Sequence, residues 1–377
     1  MRSDKYDKRY MKRAQKAARQ REKSEGIPHK RSKKKTVITI LLCIAVLMAA
    51  LAAGAYFYLN HMLSKSDYID TGSTEWCIDD NVAKELKNYR NILVLGTDSR
   101  NMKSYSGGNT DAIIVVSIDK KTDKIKMVSV MRDTFMKIDS ATEDELYYTK
   151  ITEAHGLGGS VWTARALNRN LDLNIDEFVV FNWKAVADMV DAVGGINVKI
   201  ESYEISDLNR YGAETAKKVG GTYTPIYTAG VHKLDGVQAA TYCRIRKTSG
   251  GDSYRTLRMK KVMTALFKKS KNMNLSELQD LADNTLPEIS TNMKTTAILG
   301  LMTNIKNYEL GSSSGFPYDY WGGMYYGKWY AIPQTLSSNV KELHKKMFRQ
   351  KDYQLSDTAS EISKEIIEKT GVSAPSN

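Results

Sequence analysis

The chain has 377 residues and a formal net charge of +13. Residues 1–35 hold 15 Lys and Arg against 4 Asp and Glu, a net charge of +11, so the rest of the chain carries only +2. The basicity therefore belongs to an N-terminal tail, and the length suits one sizeable domain with additional segments. Three cysteines and five scattered histidines exclude a disulfide framework and give no zinc signature.

An uncharged segment, Thr36–Asn60, follows the tail directly and is long enough to cross a bilayer as one helix. The basic cluster at 30–35 precedes it, and aromatic residues 56–58 at its far end suit the membrane interface. The positive-inside rule predicts a cytoplasmic tail (1–35), a transmembrane signal-anchor (36–60) and an extracytoplasmic remainder. A cleaved signal peptide is the alternative, but the apolar segment is longer than a usual signal-peptide core. Nucleic-acid binding by the tail is disfavoured by this anchor.

The remainder predicts an α/β fold: a three-layer α/β/α domain with a mixed central sheet over residues 89–350. A connector (61–88) precedes it and a C-terminal tail (351–377) follows. Three short apolar runs between Asn91 and Val130 predict strands covered on both faces, and strands then alternate with helices. The later predicted elements are helix Gly158–Leu171, strand Asp176–Asn182, helix Ala185–Val193, strand Ile196–Ile200, strand Thr241–Arg246, a helix from Arg255 to about Lys271, and helices Leu275–Leu286 and Thr295–Ile305.

Three further segments have distinctive compositions. Ser202–Ala229 is polar and rich in Gly and Thr, which predicts a mobile loop near the site. Tyr308–Tyr330 is dense in Tyr, Trp and Gly and predicts a hairpin whose aromatic face either closes the edge of the domain or stacks on sugar rings. Ser356–Asn377 predicts a frayed amphipathic helix and tail.

Two carboxylates and two arginines lie at the ends of the first three predicted strands: Asp98, Arg100, Asp111 and Arg132. Loops at strand ends can bring such side chains to one ligand. Carboxylate oxygens hold Mg²⁺ and guanidinium groups hold phosphate oxygens, so the set suggests a site for a metal and a phosphate. Ordinary surface ion pairs are the alternative.

Four more arginines follow in a stretch that contains a single Asp and no Glu, Gly236–Leu266. If Thr241–Arg246 is a strand, Arg244 and Arg246 share one of its faces. Arg255 and Arg258 have helical i,i+3 spacing and lie on one side of the next helix. This arrangement indicates an anion-binding site.

The order of these motifs resembles the LytR–CpsA–Psr family over roughly Asn91–Lys271. The matching pieces are Asn-Ile-Leu-Val-Leu-Gly-Thr-Asp-Ser-Arg, Thr-Asp, Ser-Ile-Asp-Lys, Arg-Asp-Thr, Lys-Ile, Val-Asp-Ala-Val-Gly-Gly-Ile-Asn-Val, Leu-Asp-Gly-Val-Gln-Ala, Arg-Ile-Arg and Gly-Asp-x-x-Arg-x-x-Arg. The resemblance implies a membrane-anchored phosphotransferase, in a Gram-positive bacterium, that moves a teichoic-acid-like or capsular glycopolymer from a polyprenyl-pyrophosphate carrier onto peptidoglycan.

The resemblance also implies roles for individual residues. Asp98 and Asp111 would hold Mg²⁺ (or Mn²⁺), and the pyrophosphate contacts would come from Arg100, Arg132, Arg244, Arg246 and Arg255, with Lys150 and Arg258 in the same ring. The catalytic set implied is Asp98 with the first five arginines. Asp98 and Asp252 are the two candidates for the base, whereas His155 would line the site. The isoprenoid chain would need an apolar groove, which helices 158–171 and 183–193 could form against the sheet.

The chain departs from the family pattern at three places: Met131 replaces a usual Pro, Thr152-Glu153 replaces Asn-Ala, and Met259 replaces Gln. Two other functions remain open, a hydrolase acting on the same lipid pyrophosphate and a non-catalytic envelope regulator of the transcriptional-attenuator type. Cys77 and Cys243 are either free thiols or a bridged pair.

Overall fold

The computed structural model describes residues 10–17, 20, 66–97, 110–140, 146–245 and 251–373, except for a few side chains between 251 and 295, among them that of Asp252. The chain divides into two units, Met1–Leu59 and Asn60–Asn377. In the first unit, residues 10–17 are helical and exposed. No described helix is long and apolar enough to cross a membrane. The predicted anchor Thr36–Asn60 lies outside the described residues, so it stays a prediction.

The second unit contains both strands and helices. Its strands are β1 (Asp67–Tyr68), β2 (Tyr89–Thr97), β3 (Thr110–Asp119), β4 (Lys124–Val130), β5 (Phe135–Asp139), β6 (Leu146–Lys150), β7 (Ile175–Phe181), β8 (Ile196–Ile200), β9 (Gly230–Leu234), β10 (Ile289–Thr291), β11 (Glu309–Phe316), β12 (Tyr320–Tyr325) and β13 (Lys328–Pro333). Its helices are α1 (Asp80–Glu85), α2 (Ile151–Leu171), α3 (Trp183–Ala192), α4 (Ile205–Val219), α5 (Gly236–Arg244), α6 (Gly251–Ser270), α7 (Leu275–Thr285), α8 (Thr295–Thr303), α9 (Leu336–Phe348) and α10 (Asp357–Thr370).

In the part of the chain that the structure describes, seven strands form a central sheet in the order β1-β10-β7-β2-β3-β4-β11. Strand β2 is parallel to β7 but antiparallel to β3, and β4 is antiparallel to β3 but parallel to β11. The predicted mixed central sheet is therefore confirmed. The antiparallel neighbours β3 and β4 are joined by a turn at 120–123, where Asp123 takes a positive φ of 54°.

Side chains of the inner strands alternate between two helical layers, because successive residues of a strand point to opposite faces. Leu93 and Leu95 of β2 pack into a core with α2, α9 and α10. The alternate residues Ile92 and Val94 point to the opposite face of the sheet, where the cores are built from α3, α5, α6 and α8. Helices therefore cover both faces of the sheet, as the uninterrupted apolar strands predict.

The prediction of a strand at Thr241–Arg246 was wrong. Residues 241–244 are the last turn of helix α5. A capping box starts that helix: the Asp235 carboxylate accepts from the backbone N–H of Gln238 at 2.8 Å, and the Gln238 side chain accepts from the N–H of Asp235 at 3.0 Å. This capping sequence, Asp-Gly-Val-Gln, favours a helix more strongly than the short alternation of polar and apolar residues favours a strand. Arg244 therefore lies on a helix and not on a strand face.

The prediction of a mobile loop at Ser202–Ala229 was wrong for its first part. A 3-10 helix at Ser202–Glu204 leads into α4, which has five turn-spaced buried residues: Leu208, Gly212, Thr215, Ala216 and Val219. That spacing is an amphipathic helix. Strand β8, which precedes this segment, pairs only with β9 among the described strands and stands apart from the central sheet.

Both ends of the domain are packed more firmly than the sequence indicates. In the connector, β1 joins the edge of the central sheet beside β10, and Asn168 of α2 donates to the Trp76 carbonyl at 2.8 Å. At the other end, Ile362 and Ile366 of α10 belong to the main core, so the expectation of a frayed C-terminal helix was wrong. The predicted aromatic hairpin forms as β12 and β13, whereas the preceding residues 309–316 join the central sheet.

Candidate active site

Of the predicted site residues that the structure describes, four gather at one edge of the central sheet: Asp111, Arg132, Lys150 and Arg255. The carboxyl ends of β2, β4, β7 and β11 meet the amino end of β3 there, as the pairs Thr97–Thr110, Val130–Ile113 and Phe316–Val130 show. The carboxyl ends of strands are the usual position for ligand sites in α/β sheets. Asp98, Arg100 and Arg246 lie outside the described residues.

Asp111, the second residue of β3, lies between two arginines. Its Oδ1 is 2.5 Å from Nη1 of Arg132 and 3.1 Å from Nη1 of Arg255. Arg132 comes from the turn after β4, and Arg255 comes from the first turns of α6, where its side chain is only 1% exposed. The structure thus brings Asp111, Arg132 and Arg255 together, whereas their roles in binding stay predictions.

A second ion pair adjoins the first. Lys150, the last residue of β6, lies 2.7 Å from Asp133, and Asp133 is 4.0 Å from Nε of Arg132. The Lys150 ammonium is also 5.5 Å from the centre of the Tyr330 ring. The cluster contains three cations (Arg132, Lys150 and Arg255) and two carboxylates (Asp111 and Asp133). Its net positive charge favours the binding of an anion.

Backbone hydrogen bonds hold the turn that carries Arg132, despite the absence of the usual proline. The N–H of Met131 donates to the Phe316 carbonyl at 2.9 Å, and Thr134 donates to the Met131 carbonyl from both its N–H and its hydroxyl. Thr152, at the start of α2, donates to the carbonyls of Arg132 and Thr110. The two departures from the family pattern at 131 and 152 therefore provide hydrogen-bond donors that position the site.

Arg244 and Arg258, the two other described arginines of the predicted anion-binding site, contact acidic partners away from Asp111. Arg244, at the end of α5, donates to the Thr215 hydroxyl at 2.6 Å and to Glu214 at 2.8 Å. This hydrogen bond holds the pKa of Glu214 below its usual value. Arg258 donates to Glu204 at 2.7 Å and to the Ile245 carbonyl at 3.1 Å, and both members of this ion pair are buried. Removing either member of such a pair would leave an uncompensated buried charge.

Sequence reasoning missed the acidic partners Glu204 and Glu214 because they lie in the segment predicted to be a loop. The spacing of apolar residues in α4 was the signal that could have found them. Asp133 contacts both Lys150 and Arg132, and its shorter contact is with Lys150. Nothing in the sequence indicated that Tyr330 lies beside the site, apart from its position in the predicted aromatic hairpin.

An apolar cavity of about 230 Å³ lies between the sheet and helices α3 and α6. Its lining includes Phe181 from the end of β7, Trp183 and Met189 from α3, and Met259 and Met263 from α6. The expectation that α3 lines such a groove is confirmed, but α2 packs on the opposite face of the sheet and α6 takes its place. Met259, which departs from the family pattern, is one of the lining residues.

The cavity and the charged cluster adjoin through α6. Arg255 and Met259 are spaced i,i+4, so they are neighbours on one helical face. The site therefore offers an anion-binding group next to an apolar cavity, which suits an amphiphile with an anionic head and an apolar tail.

Of the two described cysteines, Cys77 lies in the connector and Cys243 lines the apolar cavity. Neither Cys77 nor Cys243 is in a disulfide. Burial raises the pKa of Cys243 to about 12, so its thiol stays protonated at neutral pH and acts as a small apolar side chain.

Asp111 is the one predicted metal ligand whose position is described. Its carboxylate is a hard oxygen donor of the kind that Mg²⁺ prefers, and it lies between the guanidinium groups of Arg132 and Arg255. Among the described residues, no group of three His, Cys, Asp or Glu side chains could hold a metal ion. A metal at this edge would therefore depend on Asp98, which directly follows the residue paired with Thr110.

Comparisons with known proteins agree with this architecture. The model of the LytR_cpsA_psr family matches residues 56–347. The polyisoprenyl-teichoic acid–peptidoglycan teichoic acid transferase TagT of Bacillus subtilis is 28% identical over 336 residues, which cover 85% of this chain and 98% of TagT. A solved structure from Streptococcus agalactiae has a TM-score of 0.60 and 25% identity, covering 73% of this chain and 92% of that one. A TagT structure with bound octaprenyl pyrophosphate has a TM-score of 0.50 and 22% identity, covering 75% of this chain and 97% of that one.

Proposed function

The chain belongs to the LytR–CpsA–Psr family, and from that premise we propose that it transfers a teichoic-acid-like or capsular glycopolymer from a polyprenyl-pyrophosphate carrier onto peptidoglycan. The observation that carries the proposal is the adjacency of the Asp111–Arg132–Arg255 cluster and the apolar cavity. The relative TagT is named as such a transferase, and a TagT structure contains a polyprenyl pyrophosphate.

The reaction would break the phosphoanhydride bond of the carrier. A hydroxyl of the acceptor attacks the phosphorus that bears the glycopolymer, the polyprenyl phosphate leaves, and the hydroxyl proton passes to a base. Catalysis of phosphoryl transfer consists mainly of positioning and of stabilising charge. Arg132 and Arg255 would bind the pyrophosphate oxygens, and Lys150, released from Asp133, would add a third cation at the same edge.

We assign Mg²⁺ to Asp98 and Asp111, where the ion would neutralise charge on the pyrophosphate. Before substrate binds, the ion pairs with Asp111 keep Arg132 and Arg255 in position. When one of these ion pairs opens, its guanidinium becomes available to the substrate. Arg100 and Arg246 remain further proposed contacts, and Asp98 and Asp252 remain the candidates for the base.

Arg244 and Arg258 have different parts in this proposal. The partner of Arg244, Glu214, is half-exposed, and an exposed ion pair is weak enough for Arg244 to turn to a bound phosphate. Arg258 is held by the buried carboxylate of Glu204, and so we assign it to the positioning of α6, and thereby of Arg255. A pyrophosphate contact from Arg258 would require that buried pair to open.

The same proposal places the catalytic domain outside the cell, anchored by Thr36–Asn60. Its support is the uncharged segment with the basic cluster before it. Protease added to intact protoplasts should then degrade the chain after Asn60, and complete protection would contradict the topology.

Incubation of the full-length protein with a lipid-linked donor, with and without peptidoglycan, tests the activity. A transferase attaches the polymer to peptidoglycan and depends on the acceptor. Release of free polymer phosphate at the same rate without acceptor would identify the hydrolase instead. Donor left intact under both conditions would reject catalysis and favour the regulator.

A further inference from the structure

A second large cleft, of about 820 Å³, lies beside the candidate active site and is rich in tyrosine. We call it the tyrosine cleft and define it by the residues Tyr147, Tyr148, Tyr325, Tyr326 and Tyr330. It lies between the hairpin β12–β13, the pair β5–β6 and helix α10. The function proposed above does not use it.

Tyr326 is placed in an unfavourable backbone conformation at the tip of the hairpin. Tyr325 and Lys328 are paired, so Tyr326 and Gly327 form a two-residue turn, and both have positive φ, 45° and 76°. Asn or Gly would suit the first of these positions far better than an aromatic residue. The Tyr326 side chain is nevertheless 89% exposed and gains no burial that would offset the strain. Strain retained at an exposed aromatic residue points to a binding role.

The wall opposite the hairpin is polar and electrically balanced. Glu365 of α10 binds Lys137 at 2.8 Å and also accepts from the Tyr148 hydroxyl, and Glu368 and Lys369 line the cleft beside it. The charges of the two carboxylates and the two ammonium groups cancel, and these groups offer hydrogen-bond donors and acceptors to a ligand. The exposed ring of Tyr147 adds a flat apolar surface.

This combination suits a neutral sugar polymer better than a lipid or a polyanion. Phenol rings and carboxylates match the apolar faces and the hydroxyl groups of pyranose rings, whereas a lipid chain requires an aliphatic lining. A polyanion would instead favour the cleft of about 790 Å³ along α6, which is lined by Lys199, Lys261, Lys268 and Lys269.

The tyrosine cleft is continuous with the candidate active site. Strand β6 runs from Leu146 in the cleft to Lys150 in the charged cluster, a distance of roughly 13 Å for a strand of this length. Tyr330 lines the cleft and also lies beneath the Lys150 ammonium. The next residue, Ala331, donates to the carbonyl of Asp133 at 3.0 Å. A polymer bound in the cleft would therefore end near the cluster.

We propose that the tyrosine cleft is the acceptor subsite and binds the N-acetylhexosamine backbone of a neutral glycan strand. The proposal rests on the transferase function given above. Sugar rings stack on Tyr326 and Tyr147, their hydroxyl and acetamido groups bond to the α10 wall, and one strand hydroxyl is directed along β6 toward the pyrophosphate site.

The test is a calorimetric titration of the full-length protein with a hexamer of N-acetylglucosamine. Tyr326→Asn removes the ring but favours the positive φ, so this variant should fold at least as well as the wild type. Loss of one stacked ring should weaken binding roughly two- to tenfold, and Tyr147→Ala should act similarly. Tyr227→Ala is the matched control, because Tyr227 is 80% exposed and lies outside the cleft.

Binding that weakens in the two cleft variants and not in Tyr227→Ala supports the subsite. No binding by the wild type, or equal affinity in all variants, overturns it. Binding of the lipid-linked donor in the absence of acceptor should be unchanged in Tyr326→Asn. That measurement reports on the donor site separately, so a failure of the proposed transferase activity is distinguished from a failure of the acceptor subsite.

Discussion

Arg255 is almost completely buried, and its guanidinium lies 3.1 Å from the carboxylate of Asp111. This contact joins helix α6 to the amino end of β3 and sets the distance between the anion site and the apolar cavity, since Met259 follows one turn later. Arg255 is thereby held at the edge of the sheet where we propose that the pyrophosphate binds.

Arg→Lys substitutions at Arg132 and Arg255 should lower donor turnover strongly. Lysine keeps the charge but cannot reproduce the planar fork that binds two phosphate oxygens. The loss of one such contact in the transition state should cost on the order of 2–4 kcal/mol, or roughly tens to a thousandfold in rate. Arg210→Lys is the control, since Arg210 is exposed and stacks only on Tyr211 among the described contacts. Equal loss in the control, or near wild-type rates in the two variants, would contradict the assignment.

Asp111→Asn should weaken both folding and metal binding. The substitution keeps the shape of the side chain but removes the negative charge between two guanidiniums, one of them buried. The free energy of unfolding should fall by about 3 kcal/mol, measured by urea denaturation. Titration of Mg²⁺ should show reduced affinity in the same variant. Asp188→Asn, which removes a surface partner of Lys184, should change neither quantity. Unchanged Mg²⁺ affinity in Asp111→Asn would remove Asp111 from the metal site.

Met131→Pro would restore the usual family residue, yet it should destabilise this protein. Proline has no N–H, so the Phe316 carbonyl would lose the 2.9 Å hydrogen bond from Met131. A lost buried hydrogen bond costs roughly 1–3 kcal/mol. Met131→Leu keeps the N–H and should be nearly neutral. Urea denaturation of the two variants distinguishes the effect of the backbone donor from that of the side chain, and an equally stable proline variant would show that this hydrogen bond does not hold the turn.

His344 should make the domain less stable in acid. Burial lowers its pKa, and this effect is only partly offset by hydrogen bonds to Gln350 and the Leu171 carbonyl and by the charges of Asp172 and Glu85. As pH falls through about 6.5, the unfolded chain therefore binds the proton before the folded chain does, and stability is lost. The free energy of unfolding should fall between pH 7.5 and pH 5.5, and His344→Gln should reduce that slope. His232→Gln, at a half-buried position in β9, should retain it. An identical slope in His344→Gln would show that other groups cause the acid sensitivity.

Local patterns determined much of this architecture without tertiary information. Uninterrupted apolar runs predicted β2, β3 and β4, because a strand buried on both faces has no need of polar residues. The periodic spacing of apolar residues predicted α3, α7 and α8. The charged residues at strand ends predicted that Asp111 and Arg132 meet, since strand ends at one edge of a sheet converge.

Tertiary packing decided what local patterns left ambiguous. The alternation at 241–246 fits a strand, but burial of Tyr242 and Cys243 and a capping box at Asp235 make it a helix. Glu204 and Glu214 lie far from Arg258 and Arg244 in sequence, so only the folded chain shows that these two arginines have carboxylate partners outside the Asp111 cluster. The sequence by itself determined the kinds of residue that form an anion site; the fold determined which of them face one another, because contacts between distant segments depend on the packing of whole helices and strands.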